Sequence, residues 1–264
     1  MRVFGTIILC AASLLAADSD LSPARVEEII KTFAANDADF AKARDAYTYR
    51  QTARILDLDR AGNTVGRWEL VSDIIFDRDL KRTEKVVRAP VETLKNFQLG
   101  PEDLKDLKDV QPFVLTTATI ANYDVRYLGK ERLDELDCYA FAVKPKKMIK
   151  GERYFSGILW VDDRDIQVVR TYGRGVGIQT RNQAFPKFET TRQKIDGQFW
   201  FPVYTIADDT LYFENTSARI RQTVKYEDYK RFAAESRIIG DVQEVPVAPA
   251  KPAEAAKPAA PAKK

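Results

Sequence analysis

The runs YTYRQTARILDLD (47–59) and TVGRWELVSDIIFD (64–77), joined by RAGN (60–63), decide the fold. In the second run Trp68, Leu70, Ile74 and Phe76 fall at every second position, with Arg67, Glu69, Val71 and Asp73 between them. Side chains alternate across a strand, so this spacing predicts one apolar and one polar face. Arg60-Ala61-Gly62-Asn63 carries turn chemistry, and two alternating runs about such a turn read as an antiparallel pair. The segment Leu80–Val87 continues the same meander.

Working outward, Ser22-Pro23 supplies a capping serine and a proline for a first helical turn. Val26, Ile29, Ile30 and Phe33 then repeat at helical spacing. Gly100-Pro101-Glu102-Asp103-Leu104 predicts a short helix through Leu107, and Pro112-Phe113-Val114-Leu115 opens a second connecting segment. Strands are expected again at 124–128, 138–144, 153–161, 167–172, 189–195, 199–206 and 218–226, with Asp196-Gly197 as a hairpin turn. The reading is about ten strands and two or three helices, with sequential strands as neighbours. It predicts a mainly β (α+β) chain: a curved antiparallel sheet forming an incomplete β-barrel, with helices as plug or lid.

The two ends read differently. Met1-Arg2 followed by an apolar run to Ala17, then Asp18-Ser19-Asp20, has the form of a signal peptide. The run is shorter than the roughly 20 residues of a membrane-spanning helix. Cys10 would leave with that leader, so Cys138 is expected alone in the mature chain, behaving as a small hydrophobe. From 241 to 264 the composition turns to Pro, Ala and Lys, which cannot bury enough apolar surface to offset chain entropy. The expected organisation is a signal peptide at 1–17, one folded domain at 18–240 and a disordered Pro/Ala/Lys-rich tail at 241–264.

Chemistry is constrained by what the chain lacks. Among its 264 residues there is no histidine, which removes the commonest general base and the commonest metal ligand. The net charge of +3 is spread over interspersed charges, unlike the basic stripe of a nucleic-acid binder. Gly173-Arg174-Gly175-Val176-Gly177 is followed by no helix opening and reads as a flexible loop or bulge, not a phosphate cradle. Asp162-Asp163-Arg164-Asp165 reads as a tight turn, with calcium as the alternative. Asn215-Thr216-Ser217 reads as a turn. No catalytic, cofactor or metal residues are assigned.

Four stretches carry a family resemblance. Cys138–Lys146 (CYAFAVKPK) ends a strand in a Lys-Pro turn, Gly151–Asp162 (GERYFSGILWVD) ends one in an aromatic-Val-Asp, and Gln167-Val168-Val169-Arg170 precedes Phe199-Trp200-Phe201-Pro202. Their order, with the tyrosine-rich Tyr226-Glu227-Asp228-Tyr229-Lys230 after them, resembles the outer-membrane lipoprotein-sorting proteins of the LolA/LolB-like superfamily. The match spans roughly residues 45 to 232. The early strand motifs have no counterpart here, so no cargo-contacting arginine is carried over, and the Pro-Ala-Lys tail is not part of the pattern.

The resemblance implies a helix-capped, unclosed barrel around a hydrophobic cavity. It also implies a periplasmic carrier or sensor of lipid or lipoprotein acyl chains, with possible outer-membrane association. Expected partners are those chains and membrane-bound envelope proteins; the expected state is a monomer with no cofactor, no catalysis and no nucleic acid. Candidate lipid-binding residues are Trp68, Leu70, Ile74, Phe76, Phe141, Val143, Phe155 and Leu159. The alternative is a non-catalytic structural or partner-docking protein of the cell envelope.

Overall fold

The computed structural model describes residues 21–76, 82–177 and 184–231. The expected signal peptide and the Pro/Ala/Lys-rich tail lie outside the described residues. Helix α1 (Pro23–Arg44) is capped by Ser22, whose hydroxyl accepts from the Arg25 N–H at 3.3 Å, with Pro23 at its first position. Ile29, Phe33, Ala34, Asp37 and Phe40 form its buried face, while Glu27 and Lys31 pair across the exposed one at 2.7 Å.

Ten strands follow among the described residues: β1 (Tyr47–Leu58), β2 (Thr64–Phe76), β3 (Arg82–Glu92), β4 (Tyr123–Leu133), β5 (Leu136–Pro145), β6 (Tyr154–Asp162), β7 (Val168–Val176), β8 (Phe188–Ile195), β9 (Phe199–Tyr212) and β10 (Ser217–Arg231). A short helix α2 (Pro101–Lys105), continued by a π turn at Asp106–Val110, lies between β3 and β4. The expected strands all appear, most of them longer than alternation alone suggested. The hairpin turn at Asp196-Gly197 has φ of 52° and 71°, the pair of positive values that two-residue hairpins require.

The strands form a single antiparallel sheet in the order β3-β2-β1-β10-β9-β8-β7-β6-β5-β4. Here the structure departs from the expectation that all sequential strands are neighbours. The first strand pairs with the last, Tyr47 opposite Arg231 through Leu58 opposite Arg219, while β3 and β4 stand at opposite edges. The sheet is therefore an incomplete barrel whose one missing seam lies between β3 and β4. The chain between those strands, residues 93–122, runs from one edge of the sheet to the other, and it does so over the inner face.

Glycine explains a second departure. Gly173, Gly175 and Val176 lie within β7 and are not a flexible loop. Gly157 of β6 is paired with Gly173, and a Cβ on either would come within 2.8 Å of the Phe155 ring and closer still to backbone. These glycines trade strand propensity for bare backbone beside the tip of the Phe155 ring. Three buried clusters result: Phe141, Val143, Phe155 and Leu159 beneath Ile29 and Phe33 of α1; Ala53, Trp68, Val224 and Tyr226 beneath Leu107; and Phe40, Tyr47 and Phe201 at the helix end.

Candidate ligand-binding site

The inner face is covered by two elements, α1 and the strap formed by residues 93–122, and polar side chains fix the strap's path. Gly66 of β2 admits it: a Cβ there would meet the Thr93 carbonyl oxygen at 2.4 Å. Asp57, fully buried, accepts from the Lys95 and Asn96 N–H groups at 2.9 Å each and from Asn96 Nδ2 at 2.8 Å. Asp106 meets Arg153, the residue before β6, in a buried two-pronged pair at 2.8 and 2.6 Å. Gly175 makes room for that pair, because its Cβ would stand 2.2 Å from Asp106 Oδ2.

Further along, Thr190 Oγ1 donates to the Gln111 carbonyl at 3.0 Å. Arg192 of β8 donates to the Phe113 carbonyl, and Asp37 of α1 accepts from the Leu115 N–H at 2.7 Å. Asp37 and Arg192, both buried, approach to 3.6 Å. Burial is the largest influence on each, pushing the Asp37 carboxyl up and the Arg192 guanidinium down, against their mutual attraction. One pair thus joins helix, strap and sheet.

The anticipated lipid-binding residues separate under this cover. Trp68, Ile74, Phe141, Val143, Phe155 and Leu159 are all buried. Phe141, Val143, Phe155 and Leu159 pack directly against α1 and the strap; Phe33 lies 5.4 Å from Phe141 and Phe113 stacks at 4.7 Å on Phe155. Trp68 and Leu70 lie in the second cluster, away from these four. Ile74 is fully buried further along β2. Phe76 ends that strand, and its side chain lies outside the described residues.

Val143 borders a shallow space with Asp124, Arg126 and Ile158, whereas Trp68 and Leu70 reach a different one. Together with Ala53 they floor a groove of about 420 Å³ whose far wall is Leu104 and Leu107 of the strap. Its rim carries Arg82, Lys105 and Lys108 against one carboxylate, Glu84. Leu104 is 44% exposed, an apolar side chain presented to the opening. Sequence reading missed Leu104, Leu107 and the three rim cations as site residues, although the Leu104–Leu107 spacing already placed both on one face of the short helix.

The other singled-out segments are structural. Asp162 Oδ2 accepts from the Arg164 and Asp165 N–H groups at 3.3 and 3.1 Å, so the acidic run makes the expected turn. Thr216 accepts from the Phe213 N–H at 2.8 Å in the β9–β10 turn. Cys138 is buried on β5, and burial pushes its thiol up to about 12.

No protein-family model matches the chain, and no curated protein matches it. Solved structures overlap it partially. A LolA superfamily protein from Nitrosomonas europaea is 13% identical, covering 73% of this chain and 92% of its own, at a TM-score of 0.32. A DUF1329 family protein from Desulfovibrio piger is 14% identical over 80% and 95%, at 0.40. A putative outer membrane lipoprotein-sorting protein domain from Vibrio parahaemolyticus is 13% identical over 76% and 93%, at 0.35.

Proposed function

We propose that this chain is an exported, non-catalytic binding protein of the bacterial periplasm that holds the acyl chain of a lipid or lipoprotein in the groove between β1–β2 and α2. The observation that carries this is the groove itself: an apolar floor of Ala53, Trp68 and Leu70, an apolar wall of Leu104 and Leu107, and a cationic rim. Its volume of about 420 Å³ falls within the range of small-molecule sites, roughly 300–1,000 Å³. Each methylene taken from water into such a lining contributes about 0.8 kcal/mol, so eight would contribute about 6 kcal/mol before ordering costs. The rim cations suit an anionic head or the edge of an anionic bilayer. Phe141, Val143, Phe155 and Leu159 are packed in a separate cluster under α1 and do not line this groove. Among the described residues no helix is long and apolar enough to cross a membrane.

The decisive test is native mass spectrometry with lipid extraction on protein purified from a bacterial periplasm without detergent. Bound phospholipid or acylated peptide, together with saturable uptake of a fluorescent fatty acid that is lost in Leu104→Glu and weakened in Trp68→Ala, supports the proposal. Leu104 is exposed enough to accept a charge without unfolding the chain. A clean apo mass with no uptake sinks it. That outcome would favour partner docking, for which β3 supplies an observation: it is a sheet edge with Val86, Val87 and Val91 all exposed.

A further inference from the structure

The outer face of the sheet divides into two parts of different chemistry. Over β1, β2 and β3 it is a lattice of ion pairs: Arg50 meets Asp73 at 2.8 Å, and Glu69 meets Arg54 at 2.7 Å and Arg88 at 3.3 Å. An antiparallel sheet with one face in water keeps that face polar. From β4 to β9 the rule breaks. The register sets Arg126, Ala142, Ile158, Tyr172, Glu189 and Ile206 side by side in one row across these strands. The neighbouring row runs from Trp160 through Arg170 and Thr191 to Tyr204. Tyr172 is 41% exposed, Ile206 37% and Leu128, beside the bulge of β4, 39%. Both α1 and the strap pack on the inner face, so no helix among the described residues covers this apolar band. Near Arg126 and Lys144 the band is hollowed, with Ala142, Ser156, Gly157 and Ile158 lining a space of about 560 Å³.

We propose that this outer band docks an acidic, apolar segment of another protein, with apolar side chains seated in the hollow and against Tyr172 and carboxylates on Arg126 and Arg174. Charge selects this occupant. Lys144 is paired with Asp124 at 3.7 Å, and Arg170 with Asp134 and Glu189 at 2.8 and 3.7 Å. Arg126 and Arg174 are exposed and have no ion-pair partner among the described residues. They flank the hollow from β4 and β7, Arg126 opposite Ala142 and Arg174 opposite Ser156. A second copy would bring the same two free guanidinium groups, while its Asp124 and Glu189 are already paired. The chain's own end at 251–264, with four lysines and one glutamate, carries the same sign. Docking to a bilayer needs apolar side chains that reach past the polar ones, whereas Ile158 and Trp160 are half-buried among Arg126, Lys144 and Arg170. Tyrosine, tryptophan and arginine are also the residues that protein interfaces concentrate. The band lies on the other face of the sheet from the acyl groove, so either can fail without the other.

The probe is the fluorescein-labelled peptide Asp-Leu-Glu-Phe-Asp-Leu-Glu, titrated into the full-length chain and followed by anisotropy. Saturable binding is expected, weakening as salt rises from about 20 to about 200 mM because the charge contacts are screened. Arg126→Gln and Arg174→Gln should each weaken it about two- to fivefold, the factor for one exposed ion pair, and Ile158→Glu should abolish it. Both arginines are exposed and unpaired, so their variants should keep the parent melting temperature and the parent uptake of fatty acid. No saturable binding would overturn the proposal. So would equal binding of the same peptide with lysine in place of every acidic residue, or full binding by the double variant Arg126→Gln/Arg174→Gln. A dimer in light scattering that Tyr172→Ser dissolves would overturn it in favour of a second copy. Flotation with anionic phospholipid vesicles that Tyr172→Ser abolishes would overturn it in favour of a membrane.

Discussion

Replacing Asp37 by alanine tests the idea that a buried pair clamps helix and strap to the sheet. The substitution removes the carboxylate 3.6 Å from Arg192 and the acceptor of the Leu115 N–H at 2.7 Å. Arg192 is only 3% exposed, and stranding one member of a buried pair typically costs about 3–5 kcal/mol. Leu115 is fully buried, so its N–H adds a further penalty of about 1–3 kcal/mol. The two losses share one network and do not sum; the expected destabilisation is about 4 kcal/mol. Asp37→Asn keeps an acceptor and should cost less. The double variant Asp37→Leu/Arg192→Met removes both charges and should recover most of the loss, keeping only the penalty of about 1–3 kcal/mol for the unpaired Leu115 N–H, since desolvation outweighs attraction at both partners.

Urea unfolding followed by tryptophan fluorescence and circular dichroism measures all three, and hydrogen exchange at Leu115 reports the strap. The pH dependence has a definite sign. Burial raises the Asp37 carboxyl above its usual range, so the folded state binds this proton more tightly than the unfolded state. Its contribution to stability therefore falls as pH rises from the ordinary carboxylate value through the raised one. Asp37→Asn should remove that slope. A cost below about 1 kcal/mol for Asp37→Ala, or a double variant as unstable as the single one, would refute the clamp.

Much of this architecture is local and was legible as such. Period-two alternation grouped Trp68 with Ile74 on one face of β2, and Phe155 with Leu159 on one face of β6, without telling which face is the inner one. The Asp196-Gly197 pair marked a hairpin by the backbone angles it needs. What alternation cannot encode is which distant strands pair, because register between β1 and β10 depends on matching surfaces far apart in sequence. The open seam and the strap across it follow from that pairing, and so were invisible. The strap's anchors were hidden for a related reason: Asp37, Asp57, Asp106 and Arg192 look like surface charges until partners from other elements are in place. Gly173 and Gly175 misled in the opposite direction, since low strand propensity signalled a loop where Phe155 and the Asp106–Arg153 pair need bare backbone. The candidate lipid-binding residues show the same limit. Which of them share a strand face was readable, but not the distance that sets Trp68 and Leu70 in a groove and the phenylalanines under α1.

Three further perturbations probe the parts separately. Gly157→Ala should destabilise the fold by about 1–3 kcal/mol in thermal unfolding, because its Cβ would press on the Tyr172 carbonyl at 2.1 Å as well as on the Phe155 ring; wild-type stability would refute the close approach of β6 to β7. Cys138, buried and with its thiol held up to about 12, should resist iodoacetamide at pH 8 in the native state and react fully in denaturant, and rapid native labelling would refute its burial. The last perturbation separates anchoring of the strap from the groove it walls. Arg153→Met strands the Asp106 carboxylate, which is buried at 8% side-chain exposure, and should cost about 3–5 kcal/mol. Asp106 is followed at once by Leu107, the groove wall, so a strap released at this anchor should also lose the wall. Fatty-acid uptake should therefore fall in Arg153→Met at temperatures where circular dichroism still shows a folded sheet. Undiminished uptake by that folded variant would mean that the groove does not depend on where the strap is pinned.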